Sequence, residues 1–256
     1  MQKIICLYKQ LTLMNTTPRL LSNRYIRLGG IAYLIIIIAG VLGETFVRGT
    51  LVVPGDAAAT AQRITESPQL WRAGIGGDLL MHLLDVPVMF VLYILLKPVN
   101  RGVALMSLLS NVVQTAVLAL NKLNLLLPLF LLDKAAYLNA LDLAERQALA
   151  YVFVRAHNYG FGIGLLFFGV TCLGWGYLIR RSGYLPRVLG TLMQVAGLCY
   201  LVNSFALIIA PPVADLLTPF ILLPPFVAET ALAGWLVVKG ATDPARQPHR
   251  PELASA

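Results

Sequence analysis

Charged side chains are scarce in this sequence. They make up only 12% of the 256 residues, whereas apolar residues make up 58% and the mean hydropathy is +0.75. A soluble domain carries about 25% charged residues, so the composition excludes an ordinary soluble protein and indicates a membrane protein. The net charge of +8 does not indicate a nucleic-acid partner, because the basic residues follow the loops of a membrane protein. We therefore expect contact with a lipid bilayer and no nucleic acid.

Cysteine is also scarce, and the familiar cofactor motifs are absent. Cys6, Cys172 and Cys199 form no CxxC pair, which argues against a disulfide framework or a zinc motif. The HExxH pattern of metalloproteases and the attachment motif of c-type haem do not occur. Gly160, Gly162 and Gly164 have the wrong spacing for a dinucleotide fingerprint, and the pair Gly160 and Gly164 suits a close helix–helix contact. The sequence leaves the cofactor unknown.

Six long apolar runs predict an all-α fold, a polytopic membrane protein built as a bundle of about six transmembrane helices. We expect a cytoplasmic basic segment at 1–27, a transmembrane domain at 28–238, and a disordered cytoplasmic tail at 239–256. Met14 is an alternative translation start, which would leave 1–13 untranslated. Between the first two spans, Asp56 predicts the N-cap of a short helix. The predicted spans are 28–47, 74–97, 102–132, 148–179, 188–210 and 218–238.

The distribution of Lys and Arg predicts the orientation of this bundle. Thirteen of the twenty basic residues fall in the two terminal segments and the turns at 97–101 and 180–187. Six fall in the segments on the opposite side, and Lys122 lies within a span. Positive residues accumulate on the cytoplasmic side, so we expect a multi-pass protein of the inner (plasma) membrane with both termini in the cytoplasm.

The second span carries the most informative residues. Asp78, His82 and Asp85 are spaced i, i+4 and i+7, so they share one face of a helix. With a rise of about 1.5 Å per residue, they should lie roughly 9, 15 and 20 Å below the outer surface. Ionisable groups at such depth are costly, so we expect them to be functional and to meet polar partners. Pro87 predicts a kink beside them.

Other polar side chains fall at similar depth and predict a polar pocket that opens outward and is closed toward the cytoplasm. Glu44 and Arg48 are spaced for an ion pair, and Lys122 is expected to snorkel toward the outer surface. Tyr33, Trp175 and the other large aromatic residues are expected to be core or interfacial anchors. The candidate ligand or proton-relay residues are Asp78, His82, Asp85, His157, Asn158, Asn121, Asn124, Glu44 and Glu229.

Three functions remain open at this stage. The first is binding, with transport, of a small ligand or ion, since Asp, His and Glu within a membrane are typical of proton relays. The second is a metal- or haem-dependent membrane enzyme, with Asp78, His82, Asp85 and His157 as candidate metal ligands. The third is a structural component, in which Asp78 bonds Asn124 or His157, and His82 pairs with Asp85 or Asn121. The sequence leaves the ligand and the oligomeric state unknown.

Five segments of the chain resemble one family of bacterial integral membrane proteins. They are GETFVRGTLVVPGDAAATAQRI, DLLMHLLDV, KPVNR, HNYGFGIGLLFFG and RRSGYLPRVLG. The chain resembles the family known as domain of unknown function 4386 from about Arg24 to Lys239. The resemblance implies a polytopic helical protein of the bacterial inner membrane. It implies no activity and no catalytic residues.

Overall fold

The computed structural model describes residues 21–241, and within them all regular structure is helical. The expected start at Met14 and the tail beyond 241 lie outside the described residues. The helices are α1 (Asn23–Leu42), a π-helical segment (Gly43–Arg48), α2 (Gly49–Leu51), α3 (Ala57–Glu66), α4 (Pro68–Leu96), α5 (Arg101–Asn121), α6 (Leu123–Leu131), a short 3-10 turn (Ala136–Leu138), α7 (Leu143–Ser182), α8 (Arg187–Ile209), α9 (Pro211–Ile221) and α10 (Leu223–Val238).

Five helical segments of the described chain are long and apolar enough to cross a membrane, as the polytopic prediction requires. They are Asn23–Leu51, Pro68–Leu96, Arg101–Leu131, Leu143–Ser182 and Arg187–Ile209. A shorter apolar helix, Leu223–Val238, follows them. Large apolar side chains are exposed along the outside of these helices, among them Ile38, Leu83 and Ile209. In a membrane protein this surface faces lipid.

The last predicted span differs from the observed one. The run at 218–238 was expected to form one helix, but α9 ends at Ile221 and α10 begins at Leu223. Pro224 and Pro225 explain the break, because proline lacks the N–H that would continue a preceding helix but suits the first turn of a new one. The 16 residues of α10 span about 24 Å, short of the roughly 30 Å of a hydrocarbon core.

The third predicted span is interrupted as well. Helix α5 ends at Asn121 and α6 begins at Leu123, with Lys122 in a turn between them. The N–H of Lys122 bonds the carbonyl of Ala119, and the N–H of Leu125 bonds the carbonyl of Lys122, so two tight three-residue steps mark the break. The N–H of Leu126 bonds the carbonyl of Lys122 as well, so the interruption is local.

The membrane-crossing helices and α10 form a closed ring, in the order α5, α7, α8, α10, α1, α4 and back to α5. Helix α7 is the most enclosed of the long helices. In its most apolar 18-residue stretch, 67% of the residues are buried, whereas the corresponding share in the other four long spans is 28–39%. A capping box between Asp142 and Glu145 starts it, and Gly183 in the left-handed region (φ 68°) ends it. The short α3 is capped by Asp56, as predicted, through a 2.8 Å bond from the N–H of Ala59.

Glycines let the ring close tightly. The predicted contact at Gly160 and Gly164 is confirmed, because a Cβ there would lie 2.1 Å from Oδ1 of Asn121 and 2.4 Å from Leu118, respectively. Two further glycine pairs join α7 to α8, Gly169 with Gly197 and Gly176 with Gly190. The interior of the ring holds an apolar cluster toward each end, and the candidate polar groups on α4 lie between the two clusters.

Candidate functional site

Asp78 on α4 is the centre of an ion-pair cluster (Glu44, Arg48, Asp78 and Lys122). Its Oδ2 accepts hydrogen bonds from Nη1 of Arg48 at 2.8 Å and from Nζ of Lys122 at 2.9 Å. The Nε of Arg48 donates to Oε2 of Glu44 at 2.7 Å, which confirms the predicted pair of Glu44 and Arg48. Two carboxylates therefore balance two cations. Asp78 is 2% exposed, whereas the Glu44 side chain is 71% exposed.

Both cations of this cluster come from irregular helix. Arg48 ends the π-helical segment, and Lys122 occupies the break between α5 and α6. A Cβ at Gly43 would lie 3.2 Å from Oδ1 of Asp78 and from Nη2 of Arg48, so glycine leaves room for the pair. Lys122 was expected to snorkel toward the surface, but it is 4% exposed and its Nζ pairs with Asp78 inside the bundle. It follows the buried Leu118 by four residues and precedes the buried Leu125 by three, so it lies on the buried face.

His157 belongs to a second polar group beside the cluster. The Nδ2 of Asn121 donates to the carbonyl of His157 at 2.8 Å and lies 3.0 Å from its Nδ1. The Nδ2 of Asn124 donates to Oδ1 of Asn121 at 2.9 Å, which fixes the amide of Asn121, so Nδ1 of His157 is the acceptor. Asn158, the neighbour of His157, is exposed and contributes nothing to this group.

Asp85 lies deeper along α4 and is held from α5. Thr115 Oγ1 donates to its Oδ2 at 2.5 Å, and Asn111 Nδ2 approaches its Oδ1 at 3.4 Å. Asp85 is 9% exposed and Asn111 is fully buried. Asp85 therefore bonds Thr115 and Asn111, and not His82, which was its expected partner if the polar residues served only to hold the helices together.

His82 lies between the two carboxylates, one turn from each along α4, and is 8% exposed. Its Nε2 is buried and has no hydrogen-bond partner among the described residues. The expected bonds from His82 to Asp85 or Asn121, and from Asp78 to Asn124 or His157, are wrong, since Asp78 pairs with Arg48 and Lys122. A buried imidazole nitrogen without a partner is costly, and it is available to a ligand or a proton.

Glu229 forms a separate group in the middle of the ring. Tyr33 on α1 donates its hydroxyl to Oε2 of Glu229 at 2.9 Å, and Tyr200 on α8 donates to Oε1. Glu229 itself is on α10, so one carboxyl ties together three helices. Tyr33 was expected to be a core or interfacial residue, and it is buried in the core, where its hydroxyl also bonds this carboxylate.

The structure describes the candidate site in a closed arrangement. The cleft beside Arg48, lined by Val47, Trp71, Gly74, Ile75 and Leu125, has no room for a water molecule. Within residues 21–241, no group of three or more His, Cys, Asp or Glu side chains is placed to hold a metal ion. Among the candidate metal ligands, Asp78, Asp85 and His157 bond different neighbours, and His82 bonds none of the other three.

Comparison with known proteins identifies the family. The model of the family described as Domain of unknown function (DUF4386) matches residues 28–240. The chain belongs to this family. The DUF4386 match includes every group described above, from Tyr33 to Glu229. No curated protein and no solved structure matches the chain.

Proposed function

We propose that this membrane protein binds a small ligand or ion at the α4 face formed by Asp78, His82 and Asp85. The protein exchanges this ligand with the outer side of the membrane and transports it. The observation that carries the proposal is the buried Nε2 of His82. His82 lies between Asp78 and Asp85 along α4, and both carboxylates already have partners, whereas Nε2 of His82 has none among the described residues.

The cost of burying the cluster supports a functional site over a purely structural one. Removing ionisable groups from water costs several kcal/mol for each ion, and a well-packed apolar contact would join the same helices as well or better. Charged residues inside a membrane protein therefore mark ligand or ion pathways by default. Asp78, Arg48 and Lys122 meet where α1, α4 and α5 approach one another.

The irregular helices support a site that rearranges. π-Helical turns occur frequently at functional sites, and broken helices within membranes occur where the backbone lines a cavity. The segment Gly43–Arg48 is such a π-helical turn, and the turn at Lys122 is such a break in a helix. If Arg48 and Lys122 release Asp78, the bundle opens toward His82 from the end where α4 begins.

The orientation of the protein is part of the proposal. We place both termini in the cytoplasm of a cell whose inner (plasma) membrane holds residues 28–238, because thirteen of twenty basic residues then lie on the cytoplasmic side. The ion-pair cluster, Asn124 and His157 then face the outer half of the membrane, and Asp85 and Glu229 lie nearer its middle. These carboxylates would serve as successive positions for a proton or a cation.

A ligand screen by thermal stability tests this proposal. Purified protein in detergent is heated with a panel of monovalent and divalent cations, inorganic anions, small carboxylates and amines. A ligand that binds only the folded state raises Tm in proportion to the logarithm of its concentration. We expect at least one such shift in the wild type and its loss in His82→Gln.

Ser204→Ala is the matched control, because its hydroxyl is also buried without a partner among the described residues but lies on α8. It should keep the ligand shift. If every compound stabilises the wild type and His82→Gln equally, the cluster is a structural contact and the proposal fails.

A further inference from the structure

A basic cleft lies at the end of the bundle opposite the ion-pair cluster. It holds about 360 Å³ and lies where α7 ends and α8 begins. Its lining residues are Tyr177, Arg180, Arg181, Arg187 and Gln194. Three guanidinium groups around one cleft make it suited to an anion.

The three arginines keep their charge available. Among residues 21–241, none of them is paired with a carboxylate. Arg180 instead donates from Nη1 to Oε1 of Gln194 at 3.0 Å, and the guanidinium of Arg181 lies 4.8 Å from the ring centre of Tyr177. Both partners are neutral, so they orient the guanidinium groups without neutralising them. Guanidinium groups match the geometry of both carboxylate and phosphate, and a phosphate has enough oxygens to accept hydrogen bonds from several of them at once.

The backbone under the cleft adds to this preference. Helix α8 begins at Arg187 after Pro186, which supplies no side-chain cap for the first N–H groups. The positive end of a helix of 23 residues therefore faces the same space.

Close packing holds the cleft in shape. A Cβ at Gly176 would lie 2.5 Å from the carbonyl of Gly190, and one at Gly190 would lie 2.6 Å from Cγ of Arg180. The two helices touch through glycine at this level, and the stem of Arg180 crosses the contact. The cleft is therefore formed by two closely packed helices and does not depend on a loop.

The outer face of α8 continues from the cleft as an apolar stripe. Val188, Val195 and Val202 are spaced by seven residues and are 62%, 42% and 51% exposed. A free phosphate would make no contact with such a stripe, whereas the acyl chains of a lipid would lie along it. We propose that the cleft binds the phosphate headgroup of an anionic lipid, whose chains follow this stripe. Basic clefts between helices at the cytoplasmic side are suited to such headgroups.

Native mass spectrometry of the full chain in detergent tests the proposal. The protein is incubated with phosphatidylglycerol or phosphatidylcholine, and the retained lipid is counted for wild type and for Arg181→Gln/Arg187→Gln. We expect wild type to retain phosphatidylglycerol in preference to phosphatidylcholine. The double variant should bind phosphatidylglycerol about thirtyfold more weakly, because each basic residue near a lipid surface contributes about a factor of five.

The matched control is Lys97→Gln/Arg101→Gln, which removes the same charge at the same end of the bundle outside the cleft. It should bind phosphatidylglycerol like the wild type. Equal weakening in both double variants would show that only the net charge matters and would overturn the site. Inorganic phosphate is the competing probe. If it occupies the cleft and phosphatidylglycerol does not displace it, the ligand is a soluble phosphate and the lipid assignment is wrong.

Discussion

Lys122 and Asp78 form a buried ion pair across 44 residues of sequence, with Nζ 2.9 Å from Oδ2. Lys122 follows the buried Leu118 by four residues and precedes the buried Leu125 by three, so its side chain lies on the face that is directed into the bundle. Arg48 reaches the same carboxylate from the π-helical segment that continues the span of α1. Asp78 therefore holds three membrane helices at one point, and it is the residue on which the closed arrangement depends.

Replacing Asp78 with asparagine should destabilise the protein strongly. The change leaves the Arg48 and Lys122 side chains, 13% and 5% exposed, without a counter-charge. Breaking a buried pair by removing one partner costs about 3–5 kcal/mol. Thermal denaturation in detergent should show a large fall in Tm for Asp78→Asn. Glu44→Gln is the control, because its side chain is exposed and its pair should contribute about 0.5 kcal/mol or less. Equal Tm values for the two variants would contradict the account of the cluster.

Gly160→Ala should also be destabilising, for a steric reason. The added Cβ would lie 2.1 Å from Oδ1 of Asn121, so the amide that bonds His157 must move. Overpacking of this kind costs about 1–3 kcal/mol. Gly77→Ala makes the same change in α4 where no atom lies within 4 Å, and it should be neutral or stabilising by up to about 1 kcal/mol. If Gly160→Ala is as stable as Gly77→Ala, α5 and α7 are not in contact there.

Tyr33 and Tyr200 should act together on Glu229. Removing either hydroxyl leaves one oxygen of a buried carboxylate without its donor, which costs about 1–3 kcal/mol. Because the two hydroxyls share one carboxylate, the double variant Tyr33→Phe/Tyr200→Phe should depart from the sum of the single variants. Chemical denaturation of all four proteins measures this coupling. Tyr93→Phe, which keeps the ring that Lys97 lies over, is the control. Strict additivity would argue against a shared contact.

The proposed orientation predicts which loops are accessible from outside the cell. Single cysteines are introduced at the exposed Tyr137 and Arg181 after the three native cysteines are replaced by alanine. Tyr137→Cys should react with a membrane-impermeant maleimide in intact cells, because it lies between two spans on the outer side. Arg181→Cys should react only after the cells are permeabilised. The reverse pattern would invert the orientation.

The bundle and some local contacts could be predicted from the sequence, because they depend on local patterns. Long apolar runs determine where helices cross a membrane, and i, i+4 spacing determines that Glu44 meets Arg48. The partners of Asp78 and Glu229 could not be predicted. They lie 30–44 residues from Asp78 and 29–196 residues from Glu229, and helix rotation decides which of many polar groups meet. The break at Lys122 could not be predicted either, because no glycine lies near it and the nearest proline, Pro128, follows it by six residues.

The central claim is that the face carrying His82 opens to water on the outer side. In the cysteine-free background, His82→Cys and Leu83→Cys are exposed to a small, membrane-impermeant methanethiosulfonate reagent added from outside. The two positions are adjacent in α4, but Leu83 is 69% exposed on the surface that faces lipid, where the reagent cannot react. We predict rapid labelling of His82→Cys and none of Leu83→Cys. If neither position is labelled while both variants are folded, His82 lies in a sealed contact and the binding site does not exist.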